Sequence, residues 1–363
     1  MTTSNGRAMN LTRRQALTVA GGAIAGAAGA STLTALPAGA ANPTHGPRDL
    51  PELWYCENNM GWGKGIPPDF FSRYDDPDSF AAARRVMDTY MVRMGSYEGQ
   101  FEGDIPFLEK MATVHHNSNF AFNVTEVVAW WWREYNRTGE VPDGPPVYSA
   151  TLRHIRQFKE AGIIPTDIAV QSVLSKPGPG RYKGYPMERR IQDVVDFFHQ
   201  VKPELPDVRI GIIDPLPDHW EDGVHRAEWL QRELQYAGYE LSFIHFDKPF
   251  DRPRREHVGP AGKMTWERMV AQADFVRDEL GITFGLNCTD EIGGNRGNNL
   301  WREHVLDGID QFIRHGGKAD RYILTPFHPH PDHTVPDDLG PLPPEGASQM
   351  RVLRELGRAA GRR

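Results

Sequence analysis

Short apolar runs alternate with amphipathic stretches from about residue 50 to the end of the chain. Eight runs read as strands: 53–56, 90–94, 120–124, 167–173, 208–213, 241–246, the run opening at Gly281 (GITFGLN), and 322–326. Most are near-continuous series of Ile, Val, Leu and Phe, the pattern of parallel strands buried on both faces. Between them, apolar positions recur at helical spacing. Leu152, Ile155 and Phe158 predict a helix over 150–161, with Gly162 as its stop. Asp76-Pro77 opens one over 77–89, and Thr265 caps one over 265–280. Further helices are expected over 105–115, 187–201, 226–237, 300–315 and 349–360. Trp130-Trp131-Trp132, hydrophobic all round, reads as a buried helix or a packed loop.

Eight strands alternating with helices predict a single (β/α)8 barrel over residues 41–363 rather than an open doubly wound sheet. No GxGxxG follows any of the runs, so a dinucleotide fold has no positive support.

The first forty residues stand outside this pattern. Arg13-Arg14 is followed by a Gly/Ala-rich apolar run from Val19 to Ala30, and Ala38-Gly39-Ala40 supplies small residues for a peptidase. The segment resembles a twin-arginine (Tat) signal peptide, which implies bacterial export, cleavage near Ala40 and a secreted or periplasmic protein. The run is too short for a lipid-spanning anchor, and no other segment approaches a membrane span. Removing residues 1–40 takes away Arg7, Arg13 and Arg14 and no acid. That leaves 38 bases against 48 acids, a net charge of −10. A nucleic-acid partner needs a basic face, so this balance argues against one.

In such barrels the chemistry lies where the strands end. The ends carry Glu57 with Asn58 and Asn59, then Glu98, Asn123 with Glu126, Gln171, Asp214, Asp247, Asn287 with Asp290 and Glu291, and finally His328 and His330. Acids stand at six of the eight, more than turn chemistry alone requires. Two carboxyl groups flanking a bond are what glycoside cleavage needs, one protonated and one ionised. Asp214, Asp290, Glu291, Asp247 and Glu57 are the catalytic candidates. Trp62, Asn58, Asn123, Gln171, Asn287, His328 and His330 are candidates for binding sugar. For the acids the competing role is turn initiation or helix capping, as Pro215 after Asp214 illustrates.

His328-Pro329-His330-Pro331-Asp332-His333 supports a second chemistry, a metal-dependent hydrolase or isomerase using His328 and His330. The bland reading is a rigid loop. No GxSxG supports a serine nucleophile. Cys56 and Cys288 are the only cysteines; a disulfide and two buried thiols both remain open.

With these strand ends, the chain resembles an exported (β/α)8 carbohydrate-active enzyme of the glycoside hydrolase kind, in architecture across the mature region. Barrel glycosidases often end strand four in an Asn-Glu pair. This chain has Gln171-Ser172 there and departs from that pattern. The resemblance implies a carbohydrate substrate, with no cofactor or metal expected and a polysaccharide lyase as a close variant. A sugar-binding barrel without turnover is the alternative from a different class.

Overall fold

The computed structural model describes residues 50–57, 67–141, 144–175, 185–215, 220–247, 250–259 and 262–361. The export segment, Asn58 and Trp62 lie outside them.

The described residues form a closed barrel of eight parallel strands with helices around it. The strands are β1 (Glu52–Glu57), β2 (Thr89–Arg93), β3 (Asn119–Val124), β4 (Asp167–Gln171), β5 (Arg209–Asp214), β6 (Phe243–Phe246), β9 (Thr283–Cys288) and β10 (Arg321–Leu324). A two-residue hairpin, β7 (Val258–Gly259) with β8 (Gly262–Lys263), stands apart. The helices are α1 (Ala81–Val86), α2 (Met94–Gln100), α3 (Ile105–Val114), α4 (Glu126–Thr138), α5 (Ser149–Glu160), α6 (Met187–Val201), α7 (Trp220–Tyr236), α8 (Asp251–Arg254), α9 (Trp266–Asp274), α10 (Glu291–Gly294), α11 (Asn298–Arg314) and α12 (Gln349–Ala359). No described helix is long and apolar enough to cross a membrane.

The barrel and all eight expected strands are present. Helical expectations change at four places, one of them Phe275–Glu279, where the helix predicted over 265–280 leaves α9 for a π-helical turn. The stretch 77–89 is a 3-10 turn (Pro77–Phe80) followed by the short α1, because Phe80 leaves helical geometry at φ −139°. Helix α2 starts directly after Arg93, where two glycines had hidden it. The triple-Trp segment is a helix, with Trp131 fully buried.

Alternation along each strand sorts side chains into two shells. Trp54, Cys56, Met91, Ala121, Ala169, Ile213, Phe243 and Ile323 form the barrel interior. Their sequence neighbours Leu53, Tyr55, Tyr90, Phe122, Ile168, Ile212 and Ile244 pack outward under the helices. Two glycines let large rings fit inside. A Cβ on Gly285 would lie 2.3 Å from His245 Cδ2, and one on Gly211 would lie 2.3 Å from the Phe243 carbonyl oxygen.

Charged groups close the amino-terminal end of the barrel. Asp167 accepts from Arg209 Nη2 at 2.8 Å and pairs with Arg321 Nη2 at 3.5 Å, while Arg321 Nε reaches Glu52 at 3.0 Å. The Arg321 guanidinium stacks over Trp54 and Phe243, 4.5 and 4.8 Å from the ring centres. The buried His245 ring stacks on Phe243. Below its middle the barrel interior is therefore packed, and a site on the barrel axis can open only at the carboxyl-terminal end.

Candidate functional site

Continuing the interior alternation by one step places a polar set at that end. Cys56 follows Trp54, Arg93 follows Met91, Asn123 follows Ala121 and Gln171 follows Ala169. Asp247 follows His245, Asn287 follows Gly285 and Thr325 follows Ile323. These side chains face the barrel axis above the packed interior.

Asn287 Nδ2 donates to Asp247 Oδ1 at 3.2 Å. Arg93 lies close enough for Asp247 and Cys56 to act on it electrostatically; burial nevertheless pulls its pKa below the usual guanidinium value. Its guanidinium sits 5.8 Å from the Phe327 ring centre. The side-chain oxygens of Asn123, Gln171 and Asn287 are buried and accept no hydrogen bond among the described residues. Burial pushes the Cys56 thiol up to about 12, against the pull of Arg93 and a hydrogen bond with Asn123. A thiol so raised stays protonated near neutral pH and is a poor nucleophile. Cys288 faces outward on β9, its Sγ 3.3 Å from the Leu286 carbonyl oxygen. Both cysteines are free and buried, which settles the open choice as two thiols.

The other acids from the strand ends are engaged elsewhere. Glu57 shares the outward parity of Tyr55 and contacts Arg73 and the Tyr90 hydroxyl in a buried cluster outside the barrel wall. Burial pushes its carboxyl well above the usual range. Asp214 also has outward parity. Its Oδ2 accepts from the amides of Leu174 at 2.7 Å and Ser175 at 3.3 Å, and its Oδ1 from Ser175 Oγ at 2.7 Å. The chain reverses onto it through Ser172, at φ 60°. Burial outweighs those bonds and lifts Asp214 up to about 6, with nearby Asp247 adding to the rise.

Asp290 caps α10, accepting from Gly293 N at 2.6 Å, and both its oxygens are engaged, by Arg254 at 2.7 Å and His304 at 2.8 Å. It is thus built in as a cap. Glu291 is part-exposed and pairs with Arg252 Nη2 at 3.0 Å. Glu126 spends both oxygens on the Ala150 and Thr151 amides at the start of α5. The structure therefore does not bring the five catalytic candidates into one ring. Asp247 alone among them faces the axis by strand parity.

The two histidines are held differently. His330 Nδ1 bonds Asn298 Oδ1 at 2.7 Å, and Asn298 also holds Asp332 and the Glu345 carbonyl. His328 packs on Gly294, where an added Cβ would lie 2.5 Å from its own. Burial lowers the His328 pKa; Glu291, Asp251 and Asp290 oppose this and Arg252 reinforces it. Among the described residues, no three of His, Cys, Asp and Glu gather closely enough to hold a metal ion.

Sequence reasoning missed Arg93 and Phe327. Arg93 was read as part of an apolar strand. A charge two places after an interior residue, at the end of that strand, was the available signal. Phe327 was passed over for the histidines beside it.

No family model matches the chain, and no curated protein matches it. Solved structures do. A candidate alpha-L-fucosidase from Bacteroides thetaiotaomicron VPI-5482 aligns with a TM-score of 0.51 at 10% identity, over 86% of this chain and 95% of that one. A psychrophilic family 10 endo-beta-1,4-xylanase aligns at 0.47 and 11% identity, over 76% and 86%. Orotidine 5'-monophosphate decarboxylase from Methanocaldococcus jannaschii aligns at 0.41 and 9%, over 86% and 100%. The likeness is one of fold, a (β/α)8 barrel that carries glycoside hydrolases and other enzymes alike.

Proposed function

We propose that the chain is a carbohydrate-active barrel that hydrolyses glycosidic bonds at its carboxyl-terminal mouth, with Asp247 as nucleophile or base. One observation carries the reading. An inward carboxylate, Asp247, is bonded by Asn287 and lies in the field of Arg93, beside three amide side chains whose oxygens accept no hydrogen bond among the described residues. Unpartnered buried acceptors are costly, and a ligand rich in hydroxyl donors relieves that cost. Glu291, part-exposed beside His328, is the partner acid in this reading. Phe327 offers a ring face at the same mouth.

The test is Asp247→Asn, assayed for reducing-end release on a panel of neutral and acidic glycans. A loss of about 10²–10⁴-fold in kcat/KM with the fold intact is expected. Unchanged turnover on a cleaved glycan sinks the assignment.

A second reading is a sugar-binding barrel without turnover. It is favoured by the engagement of both oxygens of Asp214 and of Asp290 with protein donors. Binding without release by the unaltered protein would select it.

Export belongs to the same proposal. The mature protein starts near Ala41 outside the cytoplasm, and amino-terminal sequencing of the periplasmic or secreted fraction tests this.

A further inference from the structure

A cleft of about 620 Å³ opens at the opposite end of the barrel, at the amino-terminal ends of β2 and β3. Its walls come from the end of α1, from Met87 and Asp88 before β2, and from His116, Asn117 and Ser118 before β3. The volume falls in the range of small-ligand sites, roughly 300–1,000 Å³. It is separated from the mouth by the packed barrel interior, so it is a different site from the one above.

The chemistry of the walls is specific. The lining holds Arg84 and Arg85 with Asp78 and Asp88, so the formal charges cancel. Arg84 is committed to the fold, donating to the Val114 carbonyl at 2.8 Å and the Pro77 carbonyl at 3.1 Å. Asp88 accepts from Leu53 N at 2.7 Å. Arg85, Asp78 and Asn117, by contrast, have side chains with no partner among the described residues. His116 bonds the Thr113 carbonyl through Nδ1 at 2.8 Å, which leaves Nε2 as an acceptor. Met87 and Val114 add an apolar floor.

We infer that this cleft is a second, non-catalytic site for a neutral polyhydroxylated ligand, a carbohydrate chain. Cancelled charge disfavours an anion or a cation. An uncommitted guanidinium, carboxylate, amide and imidazole set around a small apolar floor presents both donors and acceptors to hydroxyl groups and a surface to the C–H face of a sugar ring. The inference takes its ligand class from the proposed function but does not need turnover at the mouth.

Affinity electrophoresis tests it. The full chain and its variants are run through native gels containing hydroxyethylcellulose, xylan, galactomannan, soluble starch or polygalacturonate. Retardation is expected with at least one neutral polymer and not with polygalacturonate. Asn117→Ala and Arg85→Ala, both exposed and outside the mouth, should reduce retardation at least threefold, while Asp247→Asn leaves it in place. The two cleft variants should also keep full turnover on a short soluble glycan that the protein cleaves. Retardation that survives both cleft variants, preference for the acidic polymer, or no retardation by any neutral polymer overturns the inference. Cleft-dependent retardation by a protein that cleaves nothing would keep this site and remove the hydrolase reading. Turnover that Asp247→Asn abolishes, without cleft-dependent retardation, does the reverse.

Discussion

Asn287 donates to Asp247 across the seam between β9 and β6, at 3.2 Å, and its own carbonyl oxygen stays buried without a donor among the described residues. The bond fixes one carboxylate oxygen and leaves the other for a ligand. A hydrogen bond to a charged group is worth about 1.5–3 kcal/mol. Asn287→Ala should therefore lower kcat/KM about 10- to 100-fold on a cleaved glycan with little loss of thermal stability. Asn287→Asp places a like charge beside Asp247 and should shift the pH profile upward, a change that a purely structural role would not produce.

Asp214 gives a pH signature of stability rather than of turnover. Its carboxyl is lifted from an ordinary 3.8 to about 6 by burial. The folded state keeps the proton where the unfolded chain releases it. The contribution is thus fully present below pH 3.8 and lost as pH rises through 6, about 3 kcal/mol in all. Asp214→Asn retains an acceptor for the Leu174 amide and removes the titration. The difference in Tm between the unaltered protein and this variant should fall from pH 4 to pH 6.5 and level off above. A difference independent of pH would mean the carboxyl is not buried as seen.

These two acids show what could and could not be read beforehand. Strand existence was legible, because runs such as Ile210–Ile213 and Phe284–Leu286 are apolar on both faces. Which tip residue looks inward was not, since a run buried on both faces carries no polar alternation to fix its phase. Asp290 illustrates the other gap. Its role as a cap depends on Arg254 and His304, 36 and 14 positions away, and only the closed barrel brings them to it. Asn123, Gln171 and Asn287 were placed at the site from sequence because they stand at the ends of apolar strands, where barrel chemistry lies.

Arg73 and Glu57 form a buried pair beneath Phe70, Tyr74 and Tyr90, with the guanidinium 4.5 Å from the Phe70 ring centre. Removing one partner of a buried pair typically costs about 3–5 kcal/mol. Arg73→Met should lower stability by that amount in urea unfolding. Adding Glu57→Gln should recover part of it, because the stranded carboxyl is gone. A double variant no better than the single would argue that the loss comes from packing alone.

Cys56 and Cys288 lie on opposite sides of the barrel wall, and both thiols are raised by burial. Neither should react with Ellman's reagent in the folded protein within minutes, and both should react on denaturation without reductant. Two thiols per chain is the expected count, and fewer would require a disulfide that the two orientations do not allow.

Gly285 tests the packed interior that sends ligands to the mouth. The space of its absent side chain is filled by the His245 ring, whose Cδ2 lies 2.3 Å from an added Cβ; Ile323 Cδ1 lies at 2.9 Å. The ring has little room to move, since it stacks on Phe243 with centres 4.4 Å apart and meets Trp54 edge-on at 5.1 Å. Overpacking a rigid core typically costs about 1–3 kcal/mol. Gly285→Ala should reach or exceed the upper end of that range. Gly285→Ala with His245→Ala should recover stability, as the methyl then enters the space the ring vacates. Recovery would show that ring and glycine compete for one volume, whereas additive losses would mean that the barrel yields elsewhere.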